Sequence, residues 1–162
     1  MQNRQIQEDR GQDKLVIALV RDYYFGGAQL DQWVQWAGYK YRRFDASGEL
    51  IRALGTARAG LVIVDLRLES DRIGLAEIAY RAGESRLIAF GPVADVESRH
   101  AAEEAGFHEV MPNINFHRRV PVLLARHLPL DPTLEYKAPN AERLSTNGHA
   151  VGWRRLLPHK RS

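Results

Sequence analysis

The stretch LVIVDLRLES, residues 61–70, runs four branched apolar residues into an aspartate and then into polar, turn-prone sequence. A continuous apolar run of strand length marks a strand covered on both faces, as in parallel sheets held between helical layers. Related runs flank it. KLVIALV (14–20) precedes it, RLIAFGP (86–92) and FHEVMP (107–112) follow, and YKYRRF (39–44) alternates imperfectly through Tyr39, Tyr41 and Phe44.

Between these runs the apolar period changes to that of a helix. Leu30, Trp33, Val34 and Ala37 share one face; Leu50, Ile51, Leu54 and Ala57 share the next, behind a cap from Ser47 or Asp45. Leu75, Ile78, Ala79 and Ala82 form a third stripe ended by Gly83, and ADVESRHAAEEAG (94–106) a further helix ended by Gly106. The last helix, NFHRRVPVLLARHL (115–128), carries Phe116, Val120, Leu123, Leu124 and Leu128 on one stripe, with Pro121 either in its first turn or kinking it. Strand and helix therefore alternate five times. This predicts a doubly wound (βα)5 α/β fold, a three-layer sandwich around a parallel five-stranded sheet in the order 2-1-3-4-5.

The rest of the chain is unlike this middle. With 162 residues and 44% hydrophobic content there is material for one ordinary core. Residues 1–13 are almost wholly polar and are expected to be a disordered N-terminal segment, 14–128 the folded domain, and 129–162 a flexible basic tail. That tail holds four of the seven prolines and six Lys or Arg against three Asp or Glu, so the net charge of +3 is concentrated there. No apolar run is long enough to span a membrane, and with no cysteine there are no disulfides or thiolate metal sites. A cytoplasmic location is expected from these features.

In such sheets chemistry gathers at the carboxyl ends of the strands, near the switch point between strands 1 and 3. Two carboxylates fall there, Asp22 just past the first strand and Asp65 at the end of the third. Together they would make a hard oxygen site for Mg²⁺, and one could act as a nucleophile toward a phosphoryl group. Gly26 and Gly27 lack the spacing of a dinucleotide or P-loop cradle and read as a turn and helix start. Trp33 belongs to the core stripe, Trp36 to its edge, and the six histidines include no HExxH pair.

From Lys14 to Leu128, about 70% of the chain, the order of elements, the apolar run ending at Asp65 and the EAGFHEV segment (104–110) resemble the receiver domain of two-component response regulators. The resemblance implies a CheY-like, flavodoxin-like fold and a phosphorelay role, with Asp65 as candidate phosphoacceptor. It also exposes departures. The acidic pair after the first strand is Arg21 and Asp22 here; the hydroxyl residue ending the fourth strand is Gly91; the lysine ending the fifth is Asn113; and the aromatic switch position falls on Val110 or Met111.

Phosphoryl transfer depends on positioning and compensating charge, so these losses remove much of its machinery. Arg21 is expected to pair with Asp65 and Asp22 in place of a metal, and no cofactor is expected beyond Mg²⁺ at Asp22 and Asp65. The expected function is that of a stand-alone, degenerate receiver, or pseudo-receiver, which is not an enzyme and works by protein contact. An atypical phosphoacceptor using Asp65 is the alternative, and a small nucleotide-binding or enzymatic domain the second. The family docks through its fourth helix, fifth strand and fifth helix. That makes His100, Arg118, Arg119 and Arg126 the candidate face toward a histidine kinase, an effector or a second copy. Nucleic acid would be met only through the basic tail, and no membrane contact is expected.

Overall fold

The computed structural model describes residues 14–21 and 27–128. The expected segments 1–13 and 129–162, and Asp22 with residues 23–26, including Gly26 of the expected turn, lie outside the described residues. Five strands, β1 (Leu15–Leu19), β2 (Lys40–Phe44), β3 (Leu61–Asp65), β4 (Arg86–Gly91) and β5 (Glu109–Pro112), alternate with five helices. These are α1 (Gly27–Trp36), α2 (Ser47–Leu54), α3 (Arg72–Ala82), α4 (Val96–Ala105) and α5 (Asn113–His127). All four strand pairings are parallel and the order is β2-β1-β3-β4-β5, as the alternation predicts.

Because side chains alternate along a strand, the central strands feed two cores. Val16, Ala18, Ile63, Ile88 and Phe90 face α1 and α5, where Leu30, Trp33, Val34, Phe116, Val120, Leu123 and Leu124 cover them. Ile17, Leu19, Val62, Val64 and Ala89 face the opposite layer, formed by Leu50 and Leu54 of α2, Leu75 and Ile78 of α3, and Ala101 and Ala102 of α4. Phe90 and Phe116 stack nearly parallel, with centroids 4.1 Å apart, and so fix α5 against β4. Trp33 is buried and meets the half-buried Trp36 edge to face at 5.4 Å.

Local details depart from expectation at two places, and a third expectation is narrowed. The second helix is capped by Ala46, with no side-chain bond, because Asp45 commits its carboxylate to Arg43 and Ser47 is already helical. Gly83 has a positive φ of 60° but a ψ of −116°, outside the left-handed helical region, whereas Gly106 (φ 100°, ψ 18°) occupies it. Of the two placements expected for Pro121, the first turn of α5 is not the one found. Pro121 lies within the helix, buried, where its ring packs into the core and the carbonyl of His117 receives no N–H from it. Among the described residues no helix is long and apolar enough to cross a membrane.

Candidate functional site

The register carries the carboxyl ends of β3, β4 and β5 to one edge: Asp65 stands opposite Phe90, and Gly91 opposite Pro112, directly before Asn113. Asp65 is fully buried at the end of β3. A buried carboxylate needs a compensating charge and donors for its lone pairs, and both come from a residue two positions along. Arg67 donates its backbone N–H to Oδ1 at 2.9 Å, its Nε to the same oxygen at 3.0 Å, and its Nη2 to Oδ2 at 2.6 Å. The guanidinium fork thus meets both carboxylate oxygens, while the backbone bond closes an Asx-type turn. Leu68 and Glu69 donate to the Asp65 carbonyl, so the chain turns tightly away from the sheet.

A charge on Asp65 is therefore supplied by Arg67, a residue that the sequence pattern does not single out. The D-x-R spacing is its only trace, because a two-residue return of a side chain onto its neighbour leaves no periodic signal. Arg21 itself is exposed just beyond β1, and Asp22, its other expected partner, lies outside the described residues. A Mg²⁺ ion requires about six oxygen ligands with little tolerance in geometry. A guanidinium across both oxygens of Asp65 competes with that ion for the carboxylate, while Asp22, the other expected ligand, lies outside the described residues.

Gly91 is buried, and Leu66, itself buried beside Asp65, packs over it. A Cβ at position 91 would come within 3.1 Å of Leu66 Cβ and 3.2 Å of Cδ1. A side chain at position 91 would thus meet a neighbouring leucine. Leu66 also donates its N–H to Phe90 O at 2.8 Å, which holds it there. Asn113 begins α5 with its Oδ1 buried and without a hydrogen-bond partner among the described residues. The segment after β4 is pinned as well: Arg99 Nη1 donates to Pro92 O at 2.8 Å and Val93 O at 3.0 Å, and Asp95 caps α4 through the Ser98 amide and hydroxyl.

His117, on the first turns of α5, feels the same guanidinium. Burial, and then the Arg67 charge, lower its imidazole to about 4. A histidine neutral in the fold but basic when unfolded makes folding sensitive to acid. The unfolded chain takes up this proton near pH 6.5, the ordinary value, and the folded chain only near 4. Its contribution is fully present above pH 6.5 and is lost as pH falls through that window. We expect the urea midpoint of the wild type to fall between these two pH values and the His117→Gln variant to show a flatter profile; equal slopes would remove His117 as the cause.

The expected interaction residues divide between layers. His100 lies exposed on α4, 3.3 Å from Glu104 and 3.7 Å from Glu103. Arg118 and Arg119 are exposed on α5, in the opposite helical layer. Arg126 is bound to Glu109 of β5, which His127 Nε2 also approaches at 3.2 Å. Burial alone would raise the Glu109 carboxyl, but the bonds from His127 and Arg126 outweigh it and hold it below its ordinary value. Val110 and Met111, the positions of the aromatic switch, are partly buried and buried.

The sequence matches no family model and no curated protein. Solved structures supply the likeness. A response regulator from Burkholderia pseudomallei, with a phosphorylated aspartic acid, calcium ion and citrate, superposes with a TM-score of 0.52 at 17% identity over 86% of this chain and 88% of its own. A CheY-like response regulator receiver domain from Methanospirillum hungatei JF-1 gives 0.55 at 14% identity, over 70% and 94%. The signal receiver domain of a putative Luxo repressor from Vibrio parahaemolyticus gives 0.55 at 16%, over 70% and 88%. The chain has the receiver fold. At the described part of the sheet's carboxyl edge, Arg67 meets the Asp65 carboxylate and Leu66 packs over Gly91.

Proposed function

We propose that this chain is a receiver-like signalling module that works by protein contact and does not use the standard aspartate phosphorylation. The observation that carries this reading is the Arg67 fork on both oxygens of the buried Asp65. A carboxylate must present a lone pair in line with the phosphorus to attack it, and here both oxygens face a guanidinium inside the protein. Leu66 over Gly91 supports the same conclusion, since the hydroxyl that would follow a phosphoryl group has no counterpart.

Contact then falls to the surface. The α4, β5 and α5 side carries His100, Arg118, Arg119 and Arg126 exposed, and we propose it as the face toward a histidine kinase, an effector or a second copy. We place the module in the cytoplasm, in keeping with its lack of cysteine. Incubation of the full chain with Mg²⁺ and acetyl phosphate is expected to leave the intact mass unchanged. A gain of one phosphoryl mass that Asp65→Ala abolishes would replace this reading with that of an atypical phosphoacceptor.

A further inference from the structure

The opposite edge of the sheet, where the strands begin, holds a groove of about 960 Å³. That is the upper end of the roughly 300–1,000 Å³ common for ligand sites. Its apolar part includes the buried Leu54 and Ala82; its described lining carries Lys14, Arg58 and Arg81, the last also 3.5 Å from Glu77, and one carboxylate, Glu84. Three cations around an apolar floor suit an acidic segment with branched side chains. None of the groups around Asp65 lies here, so the groove is independent of the reading above.

Leu128, the last described residue, lines this groove and is buried. The chain therefore leaves the domain from the groove's own wall. The next eight residues, PLDPTLEY (129–136), contain two carboxylates, Asp131 and Glu135, and no cation. They also contain Leu130 and Leu134, while Pro129 and Pro132 bias the backbone toward extended conformations suited to a cleft. We propose that residues 129–136 of the chain's own C-terminal segment dock in this groove, with Asp131 and Glu135 facing Lys14, Arg58 and Arg81. A short tether supplies an effective concentration of about a millimolar, so weak individual contacts suffice within one molecule.

The full-length chain provides the test. Amide chemical shifts of Gly60, Gly83 and Ser85, which line the groove, are compared between the wild type and Asp131→Lys/Glu135→Lys. Expected are shifts confined to the groove, the same at low and high protein concentration, and reproduced by Arg58→Glu but restored when Arg58→Glu is combined with Glu135→Arg. Unchanged groove amides would overturn the proposal. So would differences that grow with protein concentration, because the groove would then be filled by a second copy.

Discussion

Arg67→Ala is expected to destabilise the fold by about 3 kcal/mol, the lower end of the roughly 3–5 kcal/mol found when one partner of a buried pair is removed. The carboxylate of Asp65 would remain fully buried and would keep only the backbone N–H of Arg67 from its three bonds. The lower end applies because a quarter of the Arg67 side chain is exposed, so water can enter the vacated space. Asp65→Ala should cost less, about 1–2 kcal/mol, since the released guanidinium can turn outward to solvent. Urea denaturation of both variants and of the double variant checks this asymmetry. If removing Arg67 proves no worse than removing Asp65, the pair does not compensate a buried charge as described.

Restoring the family's hydroxyl at the end of β4 should also harm the fold. Gly91→Thr adds a Cβ and two further heavy atoms, and the Cβ alone would already stand 3.1 Å from Leu66 Cβ. Overfilling a packed site commonly costs about 1–3 kcal/mol, and the upper half is expected because Leu66 is tied by its N–H to Phe90 O. Leu66→Ala alone should cost about 2–5 kcal/mol as a core truncation. The combination should cost less than the sum, since Leu66→Ala removes the Cδ1 that a Cβ at position 91 would meet at 3.2 Å, although Cβ stays. Strict additivity of the two midpoints in thermal or urea unfolding would show that Leu66 does not crowd a side chain at position 91.

The fold was legible because its signals are periodic. LVIVD and LVIAL announce strands covered on both faces, and the stripes of Leu30, Trp33 and Val34 or of Phe116, Val120, Leu123 and Leu124 reappear as the buried faces of α1 and α5. The carboxyl edge was only half legible. Asp65 and Gly91 end β3 and β4 and Asn113 begins α5 directly after β5, yet the guanidinium that meets Asp65 belongs to Arg67, which the pattern does not single out. Arg67 and Leu66 act through a tight turn and a close approach between strands, neither of which has a period to detect. The cap of α2 was missed for a related reason, since a competing partner, Arg43, had claimed Asp45.

Arg99 has an effect that reaches beyond its own helix. By holding the carbonyls of Pro92 and Val93, it ties the segment after β4 to α4 in one arrangement. A signal can shift a conformational equilibrium only where a second state is close enough in free energy to be populated. With that segment fastened and Leu66 seated over Gly91, the contact role proposed above would make output follow how many copies of the molecule are present.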